Sequence, residues 1–244
     1  VTSRRLDEEL VARGLFPSRS RARDAVLRGT VSVNGRAAHK PAQPVSARDS
    51  MAVSDAAQGY VSRAALKLIH GLVHFQIAAE GRHCLDIGAS TGGFTQVLLE
   101  RGASHVTAID VGHGQMAPAV AADPRVKLLE GLNARDLAAE HLPSGLSLIV
   151  CDVSFIALKL ALAPALRLAP VGCTLLALVK PQFEVGPEHV GKGGIVSDPA
   201  PQQQACNAVA DVLRASGWFP AGVTPSPLVG GDGNLEFLIC AQKG

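Results

Sequence analysis

Four charged side chains stand where a strand-and-helix protein does its chemistry. Lys180 follows the apolar run "TLLALV", Asp152 follows "LIVC", Glu236 opens "LEFLIC", and Lys67 lies on the polar face of "RAALKLIHGLVH". The stretch from Leu175 to Val179 is short and uniformly apolar, so it reads as a strand buried on both faces. The tip of such a strand is where α/β sheets hold their ligands. If the strands are neighbours, two ammonium groups and two carboxylates meet at one edge, able to align a hydroxyl and handle its proton. A lysine acts as a base only where burial or a second cation lowers its pKa, and Lys180 near Lys67 meets both conditions. Asp152 and Glu236 act in the opposite sense. Lys180 as base and Lys180 as a donor that steadies the oxygen therefore both stand.

A second constellation is "LDIGASTGGFT". Gly88, Gly92 and Gly93, with Ala89 and Ser90 between them, follow a strand and open a helix at Phe94; Asp86 precedes the first glycine. Such glycines let the backbone turn tightly and approach a ligand, with a helix N-terminus behind it. The spacing is G-x-x-x-G-G rather than the dinucleotide G-x-G-x-x-G, and no phosphate-loop lysine follows. Asp110 ends the next strand, "VTAID", where an acid can accept both hydroxyls of a ribose. Loop and acid together predict a nucleotide-type cofactor, against a tight strand–helix turn that needs glycine only for packing.

The elements that must position these residues alternate. Strands are predicted at "HCLDIGA", "HVTAIDVG", "RVKLLEG", "LSLIVCDVSF", "CTLLALVK" and "LEFLICAQ", with helices between them, one kinked at Pro164. This order predicts a mostly parallel sheet covered on both faces. The helix before the first strand should turn Ala65, Leu68, Ile69, Leu72 and Val73 inward and Arg63, Lys67, His70 and His74 outward. Residues 1–53 read differently, as two short helices and a hairpin turned by Asn34-Gly35. "SDAAQG", residues 54–59, is expected to be a polar linker, leaving 60–244 as the larger domain.

Composition limits the function classes. Of 244 residues 47% are apolar and 18% charged, enough for a sizeable core. Residues 1–59 hold 10 Lys/Arg against 6 Asp/Glu, whereas the remainder holds 13 against 15. A basic module on a near-neutral body points to an anionic partner. Five cysteines without C-x-x-C or metal-like spacing fit a reducing cytoplasm and no metal. No secretory apolar stretch opens the chain, and Ile156–Val179 is broken by Lys159, Pro164, Arg167 and Pro170, so no membrane span is expected.

"RLDEELVARGLFPSRSRARDAVLRGTVSVNG" resembles the S4 domain, a small RNA-binding module. The resemblance makes Arg4, Arg5, Arg19, Arg21, Arg23 and Arg28 candidates for phosphate contacts, with Arg63 beside them in the chain that follows; guanidinium forks suit that role. Loop plus Asp110 resembles the S-adenosylmethionine site of class I methyltransferases, which implies a seven-stranded Rossmann-like sheet, methionine near the loop, ribose on Asp110, and Asn133 and Asp136 of "LNARDL" near the adenine. Lys67, Asp152, Lys180 and Glu236 resemble the K-D-K-E tetrad of FtsJ-type ribose methyltransferases. "YVSRAALKL", "CDVSFIAL", "VKPQFEVG", "GKGGIVSDP" and "SPLVGGDGNLEFL" are similar to the TlyA family across nearly the whole chain. That family methylates ribosomal RNA at ribose 2′-hydroxyls and carries an older haemolysin name.

Lys180-Pro181 also resembles the N/D-P-P-F/Y word of adenine-N6 methyltransferases, but a cation cannot accept a hydrogen bond from an exocyclic amine, which favours a hydroxyl acceptor. Gly191, Gly193 and Gly194 read equally as a lid or a surface turn. The expected activity is therefore methylation of ribosomal RNA or ribosomal subunits. Two rivals remain: an RNA-binding factor that holds the cofactor without turnover, and a membrane-active haemolysin.

Overall fold

The computed structural model describes residues 3–244, and the chain divides into two compact units between Gly59 and Tyr60. In the first, β1 (Arg4–Arg5) leads into α1 (Leu6–Ala12) and α2 (Arg19–Leu27). The Ser18 hydroxyl accepts the Arg21 N–H at 3.4 Å, satisfying one donor that the first helical turn leaves without a partner. β2 (Val31–Val33) and β3 (Arg36–Ala37) form the expected hairpin, with Asn34 and Gly35 at φ 51° and 78°. Both values lie in the left-handed region that a two-residue type I′ turn requires. β4 (Pro44–Val45) pairs with β1, and β5 (Met51–Val53) pairs with β2. Leu6, Leu10, Phe16, Ala22, Ala25 and Val26 close the core of this unit.

Residues 54–59 do not hang free. The Ser54 N–H donates to the Thr30 carbonyl, Ala57 is buried, and the Asp55 carboxylate takes both terminal nitrogens of Arg28 at 2.9 and 2.7 Å. A stretch of small polar residues looks like a linker in sequence; here one bidentate ion pair anchors it to the first unit.

The second unit begins with α3 (Ala64–His74), β6 (His83–Ile87), α4 (Gly93–Glu100), β7 (His105–Asp110), α5 (Pro118–Ala121) and β8 (Val126–Glu130). It continues with β9 (Leu146–Cys151), α6 (Leu158–Ala161), α7 (Ala163–Leu168), β10 (Thr174–Val179), α8 (Pro181–Glu184), α9 (Pro199–Ala215), β11 (Trp218–Pro225) and β12 (Phe237–Lys243). The sheet order is β11-β12-β10-β9-β6-β7-β8, with β12 antiparallel to both neighbours and the rest parallel. This is the seven-stranded, mostly parallel sheet expected. β11 was not predicted, because Pro220, Gly222 and Pro225 break the strand signal; at the edge of a sheet, missing N–H groups are tolerated.

The strand order reverses at β6, which has β7 on one side and β9 on the other, so a crevice opens there at the C-terminal tips. One core layer packs α6, α7 and α9 on the sheet, the other α3, α4 and α5. On α3 the expected inward face is partly wrong: Ala65, Leu68 and Leu72 are buried, but Val73 is 61% exposed and Lys67 only 5%. The helix is rotated toward the sheet through Gly71, where a Cβ would lie 2.8 Å from Leu176 of β10. A mid-helix glycine is unfavourable by about 1 kcal/mol relative to alanine, and here it permits the close approach that brings Lys67 inside.

Candidate active site

Two ion pairs occupy three adjacent strand tips. In the register between β10 and β12, Val179 faces Phe237, so Lys180 and Glu236 are the next residues outward on neighbouring strands. Because β12 runs antiparallel, its entry lies at the edge where β9 and β10 exit. Lys67 of α3 donates to Glu236 Oε2, and both side chains are buried. Lys180 Nζ lies 2.6 Å from Asp152 Oδ1 and donates to Ser154 Oγ at 2.8 Å. Lys180 is 8% exposed and Glu236 4%. Desolvating charges is costly even when they are paired, so two such pairs side by side call for a reason other than stability.

Beside them is a cleft of about 840 Å3, whose lining includes Gly88, Ser90, Asp110, Asn133, Asp152 and Phe155. Gly88 has φ +82°, and a Cβ there would lie 2.5 Å from the Asp152 carbonyl oxygen. Glycine is thus required by the neighbouring strand's backbone as well as by the turn. Asp110 accepts the Ser90 N–H at 2.8 Å on one oxygen and the Gly112 N–H at 2.7 Å on the other. A carboxylate accepts about four hydrogen bonds, so each oxygen retains a lone pair for a ligand hydroxyl. Val111 and Leu160 leave 67% and 48% of their surface exposed on the cleft lining. Apolar surface bared beside a held carboxylate suits the base and ribose of a nucleoside.

Asp86 does not line the cleft. It is fully buried, accepts the Thr95 hydroxyl at 2.7 Å on Oδ2, and has no partner on Oδ1 among the described residues. Burial pushes its pKa up to about 7; the Thr95 bond pulls back, and the nearby charges of Asp152 and Asp110 push further. Ala89, Gly92, Gly93 and Phe94 are likewise buried, where they shape the turn and the start of α4. Asp136 is exposed and outside the cleft lining, whereas its neighbours Ala134 and Arg135 are part of it.

Several lining residues carried no chemical signal in the sequence. Ser154 is a partner of Lys180, and Phe155 is 90% exposed at φ +65°, its ring centroid 5.3 Å from that of Phe183. A bulky residue in the left-handed region is an outlier that clusters at functional sites. A bared aromatic face there can stack on a base. The glycine-rich stretch after Val190 is a turn stapled by the buried Asn234, which accepts the Val196 N–H and donates to the Gly194 carbonyl, both at 2.8 Å.

The arginines of the first unit divide. Arg5 pairs with Asp7, holding that carboxyl below its usual range; Arg19 reaches Asp7 and Glu8; Arg4 lies 3.7 Å from Glu9. Arg21 donates to the Ala57 carbonyl, and Arg28 binds Asp55 and Asp24. Arg23 is exposed without a side-chain partner among the described residues, and so are Arg36, Lys40 and Arg48, which lie outside the candidate phosphate contacts given by the S4 resemblance. Arg63 sits at the N-cap of α3 in the second unit, half-buried.

Residues 60–243 match the FtsJ-like methyltransferase family and residues 4–50 the S4 domain. The chain is 47% identical to the Mycobacterium tuberculosis 16S/23S rRNA (cytidine-2'-O)-methyltransferase TlyA, over 96% of its own length and 88% of the relative. The chain belongs to the TlyA family of FtsJ-like methyltransferases. Another relative, Hemolysin A of Brachyspira hyodysenteriae, is 39% identical over 96% of this chain and 98% of that protein. A solved structure from Streptococcus thermophilus, provisionally named a hemolysin, superposes with a TM-score of 0.78 at 36% identity, covering 99% of this chain and 88% of that one. Among the described residues of this TlyA-family chain, no helix is long and apolar enough to cross a membrane. No group of three or more His, Cys, Asp or Glu residues among them is placed to hold a metal. All five cysteines are buried and unbridged; burial pushes Cys84 and Cys173 up to about 12, which removes them as nucleophiles.

Proposed function

We propose that the chain methylates a ribose 2′-hydroxyl of ribosomal RNA, with S-adenosylmethionine bound in the cleft and the first unit gripping the RNA. The observation that carries this reading is the two lysine–carboxylate contacts at the tips of β9, β10 and β12, one with both members buried and the other including Asp152, half-buried on the cleft lining. The cofactor supplies a methyl group already activated on a sulfonium. The protein's tasks are then alignment and disposal of a proton.

Asp110 would take the cofactor ribose, Gly88 and Ser90 would face the methionine part, and Val111, Asn133 and Leu160 would surround the adenine. Lys180 gives one N–H to Ser154 and is ion-paired with Asp152, which leaves an N–H for the acceptor 2′-oxygen. As an ammonium it has no lone pair, so it holds that oxygen as negative charge develops, and the Asp152 carboxylate takes the hydroxyl proton. Lys67 and Glu236 fix the neighbouring tip and keep the local charge balanced. Phe155 offers its ring to the target base. Cytidine is the acceptor named for the mycobacterial relative.

Tritium transfer from labelled S-adenosylmethionine to ribosomal subunits tests the reading. Wild-type protein should label ribosomal RNA, and Lys180→Ala should reduce the rate by about 10²–10⁴-fold. Undiminished transfer would remove Lys180 from the mechanism. Tight cofactor binding with no labelled RNA on any ribosomal substrate would favour a non-catalytic binding factor.

A further inference from the structure

We propose that Glu184 is a positioning residue whose carboxylate holds the cleft wall from Phe155 to Ala157 in its cofactor-binding shape. This rests on the cofactor reading above. The stretches Asp152–Leu158 and Lys180–Glu184 are fastened to each other along their length. At one end Lys180 engages Asp152 and Ser154, and in the middle Phe183 packs on Phe155. At the other end Glu184 Oε1 accepts the Leu158 N–H at 2.7 Å.

The last contact does what nothing local can. The first N–H groups of a helix have no intrahelical acceptor, and an N-cap side chain serves only the second or third of them, so Ala157 could not satisfy Leu158 whatever its side chain. Leu158 is 2% exposed, so water cannot readily substitute. A carboxylate from 26 residues further along the chain fills the gap. Its burial pushes the Glu184 pKa up, with the Leu158 bond and Lys159 pulling back, so an acid stands where a neutral residue would be easier to accommodate.

Between the two anchors lie the wall residues Phe155, Ile156 and Ala157. Phe155 keeps φ +65°, a conformation that a bulky residue holds only when its surroundings impose it. Glu184 itself is not on the cleft lining, so it acts through the wall rather than on a ligand.

The test compares Glu184→Ala with Glu184→Gln, the latter keeping an acceptor of the same reach. Amide exchange by mass spectrometry follows residues 152–158, and calorimetric titration with S-adenosylmethionine gives affinity. Glu184→Ala should speed exchange at Leu158, leave β9 and β10 protected, and weaken cofactor affinity about five- to tenfold. Its KM for the cofactor should rise while kcat stays within about twofold, because Lys180 and Asp152 are untouched. Glu184→Gln should restore exchange, affinity and KM. Wild-type affinity in Glu184→Ala, or equal loss in Glu184→Gln, would overturn the proposal. A wild-type protein that binds no cofactor would sink the cofactor reading instead, and exchange at Leu158 in the two variants would then decide the positioning role by itself.

Discussion

The two units use paired charge in opposite ways. In the first, arginine–carboxylate pairs such as Arg5–Asp7 and Arg28–Asp55 buttress a fold with a small core, and the cations left over face solvent. In the second, the two lysine–carboxylate pairs sit in the buried edge of a sheet whose core is already large. A small module gains cohesion from such pairs. A large hydrophobic body has no such need, and burying charge there is unfavourable unless the charge has work to do. Paired charge thus marks structure in one unit and, under the function proposed above, chemistry in the other.

Substitutions that separate stability from activity sharpen the contrast. The largest expected effect is on rate: Asp152→Asn should lower methyl transfer by about 10²–10⁴-fold, read by tritium incorporation, while Arg23→Gln leaves kcat unchanged. Next is stability. Lys67→Ala leaves the buried Glu236 carboxylate unpaired and should lower the unfolding free energy by about 3–5 kcal/mol in urea titrations. Arg36→Ala breaks no pair among the described residues and should change the unfolding free energy by less than about 0.5 kcal/mol; an equal loss there would mean that the unpaired carboxylate is not the cause.

A smaller effect concerns Asp86. Its folded pKa of about 7 stands above the unfolded 3.8, so the native state binds more protons in between and stability falls as pH rises from about 4 to 7. Asp86→Asn keeps an acceptor for Thr95 and removes that ionisation. It should therefore stabilise the protein by about 2–4 kcal/mol at pH 8 and by little at pH 4, measured as melting temperature against pH. A pH-independent difference would mean that Asp86 is not held protonated. The smallest effect is on RNA affinity. Each of Arg23, Arg36, Lys40 and Arg48, changed singly to Gln, should make the slope of log affinity against log salt shallower by about 1, without moving the melting temperature. Arg28→Gln should do the reverse, lowering the melting temperature more than the salt slope.

Much of the second unit was legible because its signals are local. The apolar runs, the glycine cluster after "LDI" and the acid ending "VTAID" each follow from residue type and spacing. Periodicity places Val73 inward and Lys67 outward and the structure has the reverse, because periodicity does not say where a sheet will press closest. The Leu176–Gly71 approach decides that, between positions more than a hundred residues apart. Ser154, Phe155 and Glu184 lay in words similar to the TlyA family, yet nothing in their types announced a role. Each acquires one from a partner on another segment.

The same holds for the arginines. Composition made residues 1–59 basic, but only the folded positions of Asp7, Asp24 and Asp55 separate cations already engaged from those available to a ligand. By itself the chain determined most of its strands and helices, its glycine turn, and one lysine and two acids at strand tips with a second lysine on the preceding helix, since these are consequences of local sequence. Which lysine meets which acid, and what fastens the cleft wall, was decided by β10 lying between β9 and the antiparallel β12 and by α3 closing on the sheet. Long-range pairing brings together groups that no spacing along the chain relates.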